Sequence, residues 1–326
     1  MPKKIVVIGG GTGSAVVLSG LREYPVDLTA IVAVTDSGGS TGRLRTEFGF
    51  LPVGDMRQCL AALAKGNKSE YIRKLLLYRF DKGKGLEGHN LGNLILTALT
   101  DISSSEPKAV EVAAQIFRLE GRILPITTKN IQLMAVYENG KTVIGEHEID
   151  EPKQGGKRII KLLTKPEAVI YKEAKKAILA ADLIILGPGD LYTSILPNLI
   201  INGVRKTFLL SKAKVVYIVN LMTRFGQTHN LSANDHVQEI ERYLGKKPDF
   251  VLFNNRKIPG KILQLYKKEK GFPTKDDIKG KLHYKLIRGD FLAPELVIKP
   301  KGDVKKRSFL RHNSKKLAKT IISLLK

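Results

Sequence analysis

The sequence has no tryptophan, a single cysteine, and aromatic side chains at only 6% of its 326 positions. The lone thiol, Cys59, excludes an intramolecular disulfide and any cysteine-based zinc cluster. It also suits a reducing compartment. Long hydrophobic runs are missing too. The longest notable uncharged stretch, Ile5 to Leu21, contains five glycines and is a poor membrane span. A charged start followed by a small-residue cleavage site, the mark of a signal peptide, is not evident either. These absences lead us to expect a soluble cytoplasmic protein without a membrane span. Acidic charge is scarce: 31 Asp and Glu stand against 55 Lys and Arg, a net charge of +24.

The excess is uneven, since residues 251–326 hold 21 Lys and Arg against 6 Asp and Glu. Such a balance raises nucleic acid, anionic membranes and phosphorylated ligands as partners. Most of these residues are single lysines with few aromatics among them, which reads better as a solvated surface than as a base-stacking platform. Nucleic acid is therefore not the expected partner.

Hydropathy patterning points to an α/β fold. Lys4–Ile8 and Leu28–Thr35 are apolar runs of buried-strand type, and so are Leu183–Leu186, Lys214–Val219 and Phe250–Phe253. Helical spacing is read over Ser14–Leu21, Pro52–Lys65 (with Asp55 as cap), Tyr71–Phe80 and Asn90–Thr100 (with Asn90 as cap). It recurs over Glu106–Leu119, Glu167–Ala180, Asp235–Leu244 and Ser314–Lys326. Between these, Gln132–Tyr137 and Lys141–Glu146 flank Asn139-Gly140, which predicts a hairpin closed by a type I′ turn. The expected architecture is one Rossmann-like domain over 1–326: a mostly parallel sheet flanked by helices. It carries a β-hairpin insertion at about 131–160 and a basic C-terminal extension at about 256–326.

Five loops carry the chemistry, each following a strand or opening a helix, which is where open parallel sheets bind ligands. The first runs through Gly9, Gly10, Gly11, Thr12, Gly13 and Ser14. Its glycines let backbone N–H groups approach a phosphate, and the next helix adds its positive dipole end. A ligand-free tight turn is the alternative. Walker A chemistry is excluded, because no Lys-Ser or Lys-Thr follows. The second loop holds Asp36, Ser37, Gly38, Gly39, Ser40 and Thr41, then Arg43 and Arg45. Asp36 suits ribose hydroxyls, and either arginine suits a phosphate. The third, Gly88 to Asn93, offers His89, Asn90 and Asn93 at a helix start. The fourth offers Gly187, Gly189, Asp190, Thr193 and Ser194, and the fifth begins at Asn220.

In this order the motifs GGGTGS, TDSGGSTGRLR, LPVGDMRQCLAAL, GHNLGNLILTAL, LGPGDLYTSILPNL and NLMTRFGQT resemble the YvcK/CofD family from about Lys4 to Phe253. LGPGDLYTSILPNL, NLMT and LSANDHV are closer to its YvcK-like branch, the gluconeogenesis factors. The resemblance implies a Rossmann-like fold and one of two roles. A YvcK-like protein would bind a UDP-sugar such as UDP-N-acetylglucosamine, with no established turnover, and support gluconeogenic growth, cell-wall synthesis and cell shape. A CofD-like protein would be a Mg²⁺-dependent transferase, moving a phospholactyl group from a nucleotide-activated donor to a deazaflavin.

By position, the resemblance implies that Gly9–Ser14 holds nucleotide phosphate. Asp36, Gly38, Gly39, His89 and Asn90 match the acceptor side, and Gly187–Ser194 with Asn220 completes the cleft. The family often has two acids before GGS, whereas here the pair is Asp36-Ser37. Asp36 would then be the Mg²⁺ ligand of a transferase, and no cofactor is otherwise expected. Tyr266 and Arg311 match C-terminal features of the YvcK-like branch, where a tyrosine would stack on uracil and an arginine would grip pyrophosphate. An exposed Tyr and a helix-flanking Arg are the plain alternative. NAD binding through the first loop and Asp36 also stays open, although the second glycine-arginine loop crowds the ribose. The expected assembly is a homo-oligomer, with a two-fold dimer the commonest form.

Overall fold

The computed structural model describes residues 1–65, 69–150, 155–297 and 308–325. Residues 151–154 of the expected insertion, 298–307 of the basic extension and Lys326 of the last helix lie outside the described residues.

Among the described residues, seven strands form one parallel sheet. They are β1 (Lys3–Gly9), β2 (Val26–Val32), β3 (Arg122–Pro125), β7 (Leu183–Leu186), β8 (Lys214–Ile218), β9 (Phe250–Asn254) and β10 (Lys285–Gly289). Three more, β4 (Gln132–Tyr137), β5 (Thr142–Ile144) and β6 (Ile159–Lys165), make a small antiparallel sheet in the order β5-β4-β6. The large sheet runs β10-β9-β8-β7-β1-β2-β3. Its middle strands are covered on both faces, and so Ile5–Ile8 and Leu183–Leu186 are apolar without alternation and fully buried.

Among the described residues, six helices precede the small sheet: α1 (Gly11–Leu21), α2 (Gly39–Phe48), α3 (Gly54–Leu63), α4 (Ser69–Leu77), α5 (Leu91–Ser103) and α6 (Glu106–Ile116). Helix α3 buries Met56, Cys59, Leu60 and Leu63, and α1 buries Val17, Leu18 and Leu21. Burial, with Asp55 nearby, holds the Cys59 thiol well above its usual pKa, so it is packing rather than a nucleophile. Among the described residues no helix is long and apolar enough to cross a membrane.

Several sequence expectations are corrected. Gly39 to Arg45, read as part of the second loop, belongs to helix α2, which begins inside the glycine run. Asp55 sits in the first turn of α3, and the N-cap position belongs to Val53. Helix α4 ends at Leu77 rather than Phe80, because the chain turns there and pairs Arg79 with Asn90. The helix expected from Glu167 begins at Lys172, since Ile170 and Tyr171 spend their N–H groups on Asn202 and Ile126. The helix expected at Asp235 begins at Ala233. Ser232 and Asp235 cap it reciprocally: Asp235 N donates to Ser232 Oγ (3.2 Å) and Ser232 N donates to Asp235 Oδ2 (2.8 Å).

The hairpin forms, but not through a type I′ turn. Gly140 has φ 78° while Asn139 keeps negative φ, and the loop spans three residues closed by Tyr137 N to Lys141 O (2.9 Å). Strands β3 and β10 had no counterpart in the sequence reading. They are edge strands of four and five residues with mixed exposure, and their apolar signal is correspondingly weak.

Candidate functional site

Chain order reverses between β1 and β7. From β1 the chain winds outward to β2 and β3, and from β7 outward to β8, β9 and β10. The carboxyl ends of these two strands therefore face a crevice. Gly11, Thr12, Gly13, Asp36, Gly38, Gly39, Ser40, Asn93, Gly189, Asp190, Thr193, Ser194, Asn220 and Arg311 line it together. Gly11, Gly39 and Gly189, from three separate loops, thus share one cleft.

The glycines are there because the loops touch. A Cβ on Gly13 would lie 1.7 Å from the Pro188 carbonyl oxygen, and one on Gly10 2.7 Å from Ser194 Oγ. A Cβ on Gly11 would meet Asp55 Cα at 2.8 Å, and one on Gly54 Thr41 Oγ1 at 2.5 Å. Contact between loops accounts for these small residues before any ligand is considered.

That contact leaves helix starts bare. Helix α1 has Gly10 at its N-cap and α2 has Gly38; neither has a side-chain cap or an acid in its first turn. The helical segment from Leu191 also starts without a side-chain cap, at Asp190. Three helical starts without a side-chain cap therefore open at one rim, where the dipole ends favour anions.

Beneath α2, Ser40 is a hub. Its Oγ accepts from Asn90 N (3.2 Å) and Asn93 Nδ2 (3.3 Å) and contacts His89 Nδ1 (3.3 Å). His89 and Asn90 are buried behind the cleft, and Asn90 caps α5 by accepting from Asn93 N (3.2 Å). Desolvation, helped by Arg43 and Arg79, lowers the His89 pKa against a smaller opposite effect from Glu47.

Several other candidate residues also stand outside the lining. Arg43 is exposed and donates to the Glu87 carbonyl (3.0 Å). Arg45 is tied to Asn130 Oδ1 (2.6 Å) at the entry to β4. Ser37 Oγ accepts from His147 N (3.0 Å), Ser14 is buried beneath the loop, and Gly187 turns the chain after β7 at φ 76°.

The cations that do line the cleft are Arg57, Arg79, Arg224 and Arg311. Only Arg311 was among the candidates. Arg57 is buried on α3 and donates to Asn93 Oδ1 (2.8 Å) and the Leu76 carbonyl (3.1 Å). Arg224 bridges two segments, pairing with Asp190 Oδ2 (2.7 Å) and Asp150 Oδ2 (2.5 Å). Burial alone would lower its pKa, but Asp190 and Asp150, with Glu146 and Glu269, more than offset that and raise it. The signal was in the sequence: Arg57 and Arg224 sit inside the quoted motifs LPVGDMRQCLAAL and NLMTRFGQT, beside residues that were singled out.

The carboxylates of Asp36 and Asp55 also line the cleft, and Asp36 Oδ1 accepts from Gly38 N (3.0 Å). Among the described residues no three His, Cys, Asp or Glu side chains gather to hold a metal ion. The residues do not fit a resident Mg²⁺ cage. A Mg²⁺ carried on ligand phosphates asks only one or two carboxylates of the protein, which this donor set contains.

The far wall comes from the C-terminal segment. Tyr266 is buried, not stacked in the cleft as expected. Its hydroxyl pairs with Ser308 Oγ (2.7 Å) and accepts from Leu310 N (3.0 Å), while its ring packs edge-on to Phe309. It thereby anchors the stretch that brings Leu310, Arg311 and His312 to the cleft. Tyr266→Phe leaves a buried N–H without its acceptor and is expected to cost about 1–2 kcal/mol. A denaturant titration checks this; an unchanged midpoint would show the hydroxyl to be idle.

Residues 5–292 match the family of 2-phospho-L-lactate transferase CofD. The gluconeogenesis factor of Bacillus subtilis is 40% identical over 324 residues, covering 99% of this chain and 98% of that one. The gluconeogenesis factor of Halalkalibacterium halodurans is 37% identical over 321 residues, covering 98% and 96%. A crystal structure of a UPF0052 family protein from Bacillus halodurans superposes with a TM-score of 0.88 at 35% identity, over 99% of both chains.

Proposed function

The chain belongs to the CofD family, among the gluconeogenesis factors, and from that premise we propose that it binds a nucleotide sugar of the UDP-N-acetylglucosamine type as a regulatory factor. The supporting observation is the set of bare helix starts at Gly11, Gly39 and Leu191, opening on one cleft that also holds Arg311. Backbone N–H groups and dipole ends of this kind suit a diphosphate. Asp36, in the loop that follows β2, suits the ribose hydroxyls. In a cytoplasmic cell-wall precursor sensor of this kind, binding without turnover would support gluconeogenic growth and cell shape.

A second reading is favoured by the family match and by Asp36 and Asp55 together in the cleft: group transfer from a nucleotide-activated donor to a deazaflavin, with Mg²⁺ carried on the donor's phosphates. Calorimetric titration with UDP-N-acetylglucosamine, GDP, NAD and a deazaflavin, with and without Mg²⁺, separates the two. Saturable UDP-sugar binding with no product on long incubation supports the sensor. Deazaflavin binding followed by transfer supports the enzyme, and tight NAD binding alone overturns both.

Asp36→Ala is expected to weaken the UDP-sugar about tenfold, the worth of a charge-assisted hydrogen bond. Its fold should survive, because the carboxylate accepts locally from Gly38. Calorimetry beside thermal unfolding checks both halves, and a variant that unfolds would make Asp36 structural.

A further inference from the structure

The carboxyl ends of the parallel strands form the cleft, so their amino ends share the opposite rim. The helices Lys172–Ala180, Val204–Leu210 and Ala233–Leu244 end there, ahead of β7, β8 and β9. Two contacts hold those ends side by side. Ser211 Oγ donates to the Ile178 carbonyl (2.9 Å), and a Cβ on Gly245 would lie 2.2 Å from Arg205 Nε. Large apolar side chains are left in water at this place: Leu179 is 40% exposed, Leu209 56% and Leu210 61%.

The same helix ends carry positive charge. Arg205, Lys206, Lys212, Lys214 and Lys247 are exposed, and Lys246 is half-buried. Among the described residues none of these cations forms an ion pair. Asp182 and Asp249, at the same rim, are already engaged: Asp182 pairs with Lys3 Nζ (3.0 Å) and Asp249 accepts from Val215 N (2.8 Å). Helix ends attract cations through their dipoles, which accounts for the lysines by themselves. It does not account for leucines exposed in their midst.

We propose that this rim docks on an anionic lipid surface, with Leu209 and Leu210 entering the boundary between headgroups and acyl chains while the cations meet lipid phosphates. Charge argues against a second copy of this chain, since two such rims repel one another. The side chains argue against nucleic acid, because base stacking asks for aromatic rings and leucines stand here instead. Lysine, a hydrated point charge on a flexible stem, suits a fluid headgroup layer. Docked by this rim, the molecule keeps its cleft open to water on the other side.

Co-sedimentation with vesicles tests this. The full chain is expected to bind vesicles of equal parts phosphatidylglycerol and phosphatidylcholine, to ignore pure phosphatidylcholine, and to come off as salt is raised. Leu209→Ser with Leu210→Ser is expected to lose about tenfold in affinity through the apolar contact alone. Lys246→Gln with Lys247→Gln is expected to lose about twentyfold. The control is Lys267→Gln with Lys268→Gln. These lysines end the helix Gly260–Lys268, close to Phe272, whose N–H donates to Thr223 Oγ1 (3.0 Å) in the fifth loop at the cleft rim. The same charge is removed there, on the far side from the lipid, and affinity should change about twofold at most.

A wild type that stays in the supernatant overturns the inference, as does a leucine variant that binds like wild type or a control pair that loses as much as Lys246 and Lys247. Salt-dependent DNA binding without vesicle binding would give the rim to nucleic acid. A lipid-free wild-type dimer that the leucine variant turns into a monomer would give it to a second copy; either result sinks the lipid proposal. Should a variant not fold, hydrogen exchange of the wild type on vesicles decides: protection is expected over 205–214 and 244–247, and protection only elsewhere overturns the proposal. None of these outcomes touches the nucleotide-sugar reading, whose site lies at the other rim.

Discussion

Gly13→Ala is expected to destabilise the protein by roughly 3 kcal/mol, at the upper end of overpacking costs, and to abolish ligand binding. The added methyl would stand 1.7 Å from the Pro188 oxygen and 2.6 Å from its carbonyl carbon. Both are backbone atoms, so no rotamer change relieves the clash. The first and fourth loops must part, and with them the bare start of α1 and the Gly189 side of the cleft. Gly49→Ala is the control. Gly49 ends α2 at φ 73° with nothing within 4 Å of a built Cβ, so it should pay only the left-handed backbone cost, about 1–2 kcal/mol. Denaturant unfolding of the two variants beside calorimetry distinguishes them. A Gly13→Ala protein that melts and binds like Gly49→Ala would show that the loops do not press together.

The second large effect is acid sensitivity. Burial lowers the His312 pKa from 6.5 to about 4, and burial likewise lowers His236. The unfolded chain takes up these protons near pH 6.5, but native His312 takes up its own only near pH 4. Between those values the unfolded state binds more protons, so stability falls as the pH falls. His312 alone contributes a loss of about 3 kcal/mol between pH 6.5 and 4. Carboxylates with lowered pKa values, such as Asp182 and Asp276, lose their contribution only below this window. Denaturant midpoints between pH 7 and 4 check the sign and the range. A flat profile would mean that His312 reaches water in the native state.

Legibility followed the strength of the local signal. The central strands announced themselves because a strand buried on both faces is apolar at every position, as in Ile5–Ile8 and Leu183–Leu186. Edge strands β3 and β10 did not, since half of each is wet. Helix α2 was hidden by its own glycines, which look like loop while serving to admit the Ser37 carbonyl, 2.1 Å from a Cβ on Gly42. In the cleft, the glycine loops were visible as motifs. Which arginines accompany them was not, because Arg43 and Arg57 are alike in sequence and differ only in which way their helices turn them.

What the amino-acid order settled by itself was local and periodic: the α/β alternation, the glycine loops after β1 and before α2, the cap at Asn90 and the hairpin around Gly140. Family membership was legible in the same way, from motifs in a consistent order. The tertiary structure alone decided that Gly11, Gly39 and Gly189 meet, that Tyr266 is buried against Ser308 and Leu310, and that His312 is a buried residue of the cleft lining. Those facts depend on contacts between segments up to hundreds of residues apart. Close packing sets such contacts, and no spacing along the chain encodes them.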